Sequence, residues 1–99
     1  MWNVEMLKEN DGITLINGKE VTYKTGYQVA TKGVECKTAE EAKKAIKSFG
    51  GNAGVWLSKG VYYVDESHHV QAKKDAVLVG KLCSQQSILC WKDMSLIWL

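Results

Sequence analysis

A helix with marked ends is predicted by residues 38–51, TAEEAKKAIKSFGG. Thr38 and Glu41 have the spacing of a capping box, in which the threonine hydroxyl accepts a hydrogen bond from the Glu41 amide and the glutamate reaches back to Thr38. Gly50-Gly51 supplies the left-handed residues that commonly end a helix. The apolar positions between these ends share one helical face, which is formed by Ala42, Ala45, Ile46 and Phe49.

Strand and turn signals continue from this helix in both directions along the chain. The predicted elements are a strand at 27–31 that turns at Lys32-Gly33, a hairpin of strands 55–57 and 61–64 that ends at 65–67, a helix at 72–84, and strands at 87–91 and 95–99. This β-α-β-β-α-β order resembles the ferredoxin-like split arrangement, in which an antiparallel sheet carries two helices on one face. Residues 26–99 are therefore expected to form an α+β core.

The first quarter of the chain, residues 1–25, has the pattern of a three-stranded β-meander. Its strands are predicted at 2–7, 13–16 and 20–23, and Asn17-Gly18 is a strong signal for a tight type I′ turn. The second face of the core sheet must be covered by this meander, by another subunit or by a ligand, because large exposed apolar patches are rare on monomers. We expect a homo-oligomer.

Composition indicates one globular domain of 99 residues with a formal net charge of +2. Its apolar runs are too short to span a bilayer and its N-terminus lacks a leader pattern, so no membrane association is expected. Three cysteines without CxxC spacing fit free thiols in a reducing cytoplasm. All 13 basic residues are lysine, and a sequence-specific DNA reader without arginine is unlikely on chemical grounds.

Catalytic and metal-binding patterns are weak in this sequence. His68-His69 lies in an extended segment where adjacent side chains point to opposite sides, so the two imidazoles cannot face one ion. Cys83 and Cys90 lack zinc-site spacing and are expected to be inert. The glycines at 50–54 follow a helix, whereas a phosphate loop precedes one. We therefore expect no enzyme activity, no metal and no cofactor.

Aromatic residues on predicted strands alternate with lysines, a pattern that can stack a base and neutralise phosphate. The rings concerned are Trp56, Tyr62, Tyr63, Trp91 and Trp98. Alternation requires about half of them to face a core. An outward subset, expected to include either Tyr62 or Tyr63, remains available for a nucleotide or another partner.

Four segments resemble small accessory proteins of phages of low-GC bacteria: residues 51–57, 60–67, 74–76 and 85–91. Within that group the chain resembles the Thoeris anti-defence sponges, over roughly residues 27–91. The resemblance implies an α+β oligomer that sequesters a cyclic ADP-ribose signal at subunit interfaces without cleaving it. The family is expected to clamp the pyrophosphate with arginine, so a clamp here must use lysine or backbone amides.

The function predicted from these observations is a non-enzymatic phage anti-defence protein that acts in the host cytoplasm by sequestering a cyclic nucleotide immune signal. The expected ligand contacts are Lys59, Tyr62, His68, Lys81, Gln85 and Gln86. Lysines are assigned to phosphate, Tyr62 to stacking and the glutamines to ribose or base. Two alternatives stay open: a protein-protein inhibitor of a host defence complex, such as an anti-CRISPR, and a single-stranded RNA-binding module.

Overall fold

The computed structural model describes residues 4–99 as one curled sheet with two helices. The strands are β1 (Gly12–Ile16), β2 (Lys19–Val21), β3 (Tyr27–Cys36), β4 (Ala53–Ser58), β5 (Val61–Val70), β6 (Ser87–Cys90) and β7 (Ser95–Trp98). The helices are α1 (Ala39–Ser48) and α2 (Lys73–Leu82), and Val4–Met6 forms a 3₁₀ turn. The predicted α+β class is confirmed.

All seven strands belong to a single antiparallel sheet with the order β2-β1-β4-β5-β3-β6-β7. The four strands of the predicted core are neighbours in it, in the order β4-β5-β3-β6. The ferredoxin-like topology nevertheless does not describe the molecule, because β1, β2 and β7 extend this sheet at both edges into a curled half-barrel.

The N-terminal prediction is partly wrong. Val4–Met6 is a 3₁₀ turn where a strand was expected at 2–7, and residues 1–3 of that prediction lie outside the described chain. The β1–β2 hairpin is confirmed, with positive φ angles of 53° at Asn17 and 77° at Gly18 that suit a type I′ turn. This hairpin pairs with β4 through β1, so it extends the sheet and does not cover it.

The expected turn at Lys32-Gly33 is absent, because β3 is continuous and carries a β-bulge between Ala30 and Lys32. Before the bulge Val29 pairs with His68, and after it Val34 pairs with Val64. Without the extra residue, one end of β3 would present the wrong side chains to the helices. The long β3 also lets β5 continue to Val70, beyond its predicted end.

Both helices lie on one face of the sheet, which we call the helix face. Ala42 of α1 packs on a core that includes Leu15, Val55 and Val64, and Ala76 of α2 packs on a second core with Val29 and Ile88. Strand pairing places all these strand residues on the same side. The predicted position of both helices on one face is confirmed.

The ends of α1 follow its local sequence. The Glu41 amide donates to the Thr38 hydroxyl at 3.2 Å, as the capping box predicts. At the other end the Gly51 amide donates to the Ile46 carbonyl and the Gly50 amide to that of Lys47, the two bonds of a Schellman motif. The Gly18 amide in turn donates to the Gly51 carbonyl, which joins this helix end to the β1–β2 turn.

Helix α2 is shorter than its predicted range of 72–84. Ala76 and Gly80 are buried, and Leu82, the last residue of the helix, is exposed. Gly80 allows a close approach of α2 to its neighbours: a Cβ atom added there would lie 2.6 Å from Leu99 Cδ1 and 3.1 Å from Ile88 Cγ2. Neither helix in the described part of the chain has the length and apolarity needed to cross a membrane.

Candidate functional site

Within residues 4–99 no helix covers the opposite side of the sheet, which we call the groove face. Its curvature forms a groove with a volume of about 480 Å³. The residues that line the groove are Gly12, Ile13, Thr14, Glu20, Val21, Thr22, Gly54, Val55, Trp56, Tyr63, Asp65, Leu89, Trp91, Met94 and Leu96. Both edges of the sheet contribute to this lining, β2 through Val21 and β7 through Leu96, because the sheet curls toward itself.

One wall of the groove consists of two aromatic rings on neighbouring strands. Trp56 of β4 pairs directly with Tyr63 of β5, and their ring centroids are 5.7 Å apart at an interplanar angle of 35°. Half of the Trp56 surface, 50%, remains exposed. This wall therefore offers aromatic surface to a ligand without having to move.

Trp91 forms part of the opposite wall and is held by a buried chain of hydrogen bonds. Its indole Nε1 donates to Gln28 Oε1 at 3.1 Å, and Gln28 Nε2 donates to Ser67 Oγ at 2.7 Å. Tyr23 contacts Trp91 edge to face, with centroids 5.7 Å apart. These contacts fix the orientation of the indole, so this wall is preformed.

Asp65 contributes a carboxylate to the groove and has glycines on both sides. Strand pairing places Gly54 of β4 and Gly33 of β3 directly across from it, and the Asp65 carboxylate lies over Gly33. Within residues 4–99 this carboxylate accepts no hydrogen bond and forms no ion pair. Burial raises the pKa of Asp65 above its ordinary value of 3.8.

The bottom of the groove beside Asp65 is formed by the backbone at Gly54, which we call the glycine floor, and it is open enough to admit a ligand. A Cβ atom added at Gly54 would have Ser67 Cβ, 4.0 Å away, as its neighbour, so the space above Gly54 belongs to the groove. A glycine within a strand often marks a place where another group approaches the backbone. The arrangement leaves space for a flat ring above Gly54, next to the Trp56–Tyr63 wall and beside a carboxylate.

The charge of the groove lining is acidic. Asp65 supplies a charged side chain to it, and the described lining contains no lysine or histidine. Glu20 also lines the groove, but it pairs with the buried Leu15, so its side chain points toward the helix face. Strand register also places Glu35, which pairs with Tyr63, on the groove face. Lys19 lies on the same face at the β2 edge, but it does not line the groove.

Three of the six predicted ligand contacts lie on or next to β5: Lys59, Tyr62 and His68. None of these three lines the groove. Lys59 is in the β4–β5 turn, where its amide donates to Glu9 Oε1. Tyr62 faces the helices and packs on the α1 core. His68 is also on the helix face, with its Nε2 3.3 Å from Glu66 Oε1.

The other three, Lys81, Gln85 and Gln86, are close in sequence at the end of α2. The Gln85 side chain donates to the Cys83 carbonyl at 3.3 Å, and the Gln86 carbonyl accepts from the Leu99 amide at 2.9 Å. The structure thus brings these three together but separates them from the groove lining.

The two histidines point to opposite faces of β5, as expected. His69 stacks on Tyr23 with centroids 3.8 Å apart, and its Nε2 lies 2.8 Å from the Thr25 carbonyl oxygen. No group of three or more potential metal ligands occurs within residues 4–99. All three cysteines are free thiols, and burial followed by the charge of Glu41 raises the pKa of Cys36, which favours its unreactive form.

Comparison with known proteins returned no match to a family model, to a curated protein or to a solved structure. The resemblance to the anti-defence sponges therefore depends on the sequence segments quoted above.

Proposed function

We propose that this protein is a non-enzymatic binding protein whose groove holds a small ligand by its planar ring. The observation that carries the proposal is the presence of Trp56, Tyr63 and Trp91 in the lining of one groove. Its volume, about 480 Å³, falls within the range of roughly 300–1,000 Å³ that is common for small-molecule sites. Base-sized rings stack well on such side chains.

The non-enzymatic part of the proposal is supported by the chemistry of the lining. Asp65 is the carboxylate beside the glycine floor, and the described lining contains no histidine, cysteine, serine or lysine. Proton transfer and covalent catalysis need a positioned acid, base or nucleophile that acts together with a second group. The groove is better suited to holding a ligand than to transforming it.

For the biological role, we propose phage anti-defence through sequestration of a cyclic ADP-ribose-type signal in the host cytoplasm. This proposal comes from the sequence resemblance. The aromatic groove supports it by offering a site for the base. The acidic lining does not suit a pyrophosphate, so the phosphates would extend past the rim, where Lys92 follows Trp91 along the chain.

A second candidate is a protein-protein inhibitor, such as an anti-CRISPR. It is favoured by exposed apolar side chains at one edge of the sheet, on Met94, Leu96 and Trp98. They lie on or beside β7, an edge strand with free backbone groups and no charged residue to protect it. The predicted homo-oligomer could use the same edge. Single-stranded RNA binding remains a prediction without support from the lining, which lacks lysine.

The experiment is a thermal-shift assay of the purified protein against cyclic nucleotides and ADP-ribose derivatives, with its mass in solution determined alongside. A ligand that binds the native state raises the unfolding midpoint. Gly54→Val is expected to abolish the shift, because its side chain would extend into the groove space above β4. The matched control is Ser58→Val, on the same strand and face but outside the groove lining.

A shift that disappears in Gly54→Val and persists in Ser58→Val supports the proposed function. An equal shift in both variants places the ligand elsewhere and contradicts the use of the groove. The absence of any shift, combined with a monomeric mass, contradicts sequestration of these nucleotides and favours a protein target.

A further inference from the structure

The Asp65 carboxylate is a partly buried charged group of the groove that has no hydrogen-bond or ion-pair partner within residues 4–99. Its cross-strand neighbours, Gly54 and Gly33, have no side chains to offer. Two positions along β5 on the same face, Tyr63 contributes a ring and Ser67 is already engaged by Gln28. The carboxylate thus faces the groove with its hydrogen-bonding capacity unused by residues 4–99.

Such a carboxylate costs stability unless something compensates its partial burial. A carboxylate removed from water without a donor is unfavourable, whereas one that accepts two parallel N–H bonds gains strong, charge-assisted interactions. The cost is consistent with the raised pKa of Asp65, whose cause is burial alone. A ligand that brought the missing donors would recover the lost interactions.

The position of Asp65 relative to the rings defines the shape of that ligand. The Trp56–Tyr63 pair lies next to the Gly54–Asp65 pair along the same two strands. A ring stacked on the aromatic wall would therefore extend over the glycine floor with one edge toward the carboxylate. That edge must carry the donors, because a carboxylate can only accept.

We infer that the ligand in the groove presents two adjacent N–H donors on a planar ring system, as an amidinium or a guanine-type base does, and that the Asp65 carboxylate accepts both. This inference rests on the proposed ring-binding function of the groove, whose ligand it specifies. It departs from the cyclic ADP-ribose role, because adenine offers an amino donor beside an acceptor nitrogen and not two adjacent donors. The acidic lining adds charge complementarity for an amidinium and disfavours an anionic ring.

The test is isothermal titration calorimetry of the full chain with two matched pairs of probes. Benzamidinium and benzoate have the same planar shape and opposite charge. Guanosine and inosine differ in the 2-amino group, which removes one of the two adjacent donors. Benzamidinium is expected to bind at least about tenfold more tightly than benzoate, and guanosine about tenfold more tightly than inosine, because a charge-assisted hydrogen bond is lost in each case.

Asp65→Asn is expected to remove both preferences while the protein stays folded, because asparagine has nearly the same shape. Asp75→Asn, on α2 and outside the groove lining, is the matched control and is expected to keep both preferences. A preference for benzamidinium alone would identify a cationic ligand, and a preference for guanosine a nucleobase. Either result supports the inference.

The inference and the proposed function fail in different ways. The inference is overturned if the probes bind without either preference, or if Asp65→Asn keeps the preferences. If Gly54→Val still abolishes the binding in those cases, the groove remains a ligand site. If none of the four probes binds and the thermal-shift panel is also negative, the proposed function fails with it.

Discussion

The two faces of the sheet give neighbouring residues of one strand opposite environments. On β4, Val55 is 2% exposed beneath the helices, whereas Trp56, the next residue, is 50% exposed in the groove. The helix face is filled by aliphatic side chains that pack on α1 and α2. The groove face contains an exposed indole and a carboxylate without a partner among residues 4–99. We conclude that the helix face stabilises the fold and that the groove face is available for binding.

Trp91 differs from the other rings of the groove because it is buried, and its removal should have the largest effect on stability. It is 5% exposed and donates a hydrogen bond to Gln28. Trp91→Ala is expected to lower the free energy of unfolding by roughly 3–5 kcal/mol, whereas Trp56→Ala should cost about 1 kcal/mol or less. Guanidinium denaturation measures both values. Equal losses would show that the two groove walls do not differ as described.

Adjacent residues of β1 lie on opposite faces of the sheet, so substitutions at each compare how much the two faces contribute to stability. Leu15 is 1% exposed in the α1 core, and Thr14 lines the groove. Leu15→Ala should cost about 2–5 kcal/mol because it leaves a cavity, while Thr14→Ala should cost about 1 kcal/mol or less. The free energies come from urea denaturation. A larger loss for Thr14→Ala would contradict the assignment of Leu15 to the helix face and of Thr14 to the groove face.

The contact between the α1 end and the β1–β2 turn supports one edge of the groove. Gly50 and Gly51 both have positive φ. A Cβ atom added at Gly51 would lie 2.5 Å from the Gly18 nitrogen, whereas one added at Gly50 would have Asn52 Nδ2 as its neighbour at 3.7 Å. Gly50→Ala is expected to cost about 1–2 kcal/mol from backbone strain, and Gly51→Ala at least about 1 kcal/mol more. Denaturation midpoints of the two variants test this difference.

Asp65→Asn should have the smallest effect and the opposite sign. Because burial raises the pKa of folded Asp65 above 3.8, the folded state keeps the proton in a pH window where the unfolded state has lost it. Stability therefore falls as pH rises through that window, and removing the charge should raise the melting temperature at pH 7. The difference from wild type should shrink below pH 3.8, where both states are protonated. A lower melting temperature at pH 7 would contradict this account.

Local signals in the sequence predict those parts of the fold that local chemistry controls. The capping box at Thr38, the glycine end of α1 and the Asn17-Gly18 turn are all confirmed. The Lys32-Gly33 turn was wrongly predicted because Lys32 and Gly33 pair with Glu66 and Asp65 of β5, which are 34 and 32 positions away in the sequence. This distant pairing, and not the local residues, keeps β3 extended at that point.

The candidate site was only partly predictable for the same reason. Alternation predicts that Tyr62 and Tyr63 face opposite sides, but the pairing of β4 with β5 decides which of them enters the groove. Asp65 gives no signal of its own, because its place in the groove depends on Gly33 and Gly54 from two other strands. Gly54 gave no clue either, because the sequence predicts a strand at 55–57, whereas β4 begins at Ala53 and includes this glycine.

The most direct test of the central claim is an amide chemical-shift map of the ¹⁵N-labelled protein on addition of guanosine and, separately, benzamidinium. We predict that the shifts concentrate at Gly12, Gly54 and Asp65 and at the Trp91 indole, while residues at the end of α2 and on the helix face change little. Shifts concentrated instead at Lys59, His68, Lys81 or Gln85 would contradict the assignment of the groove face as the binding site.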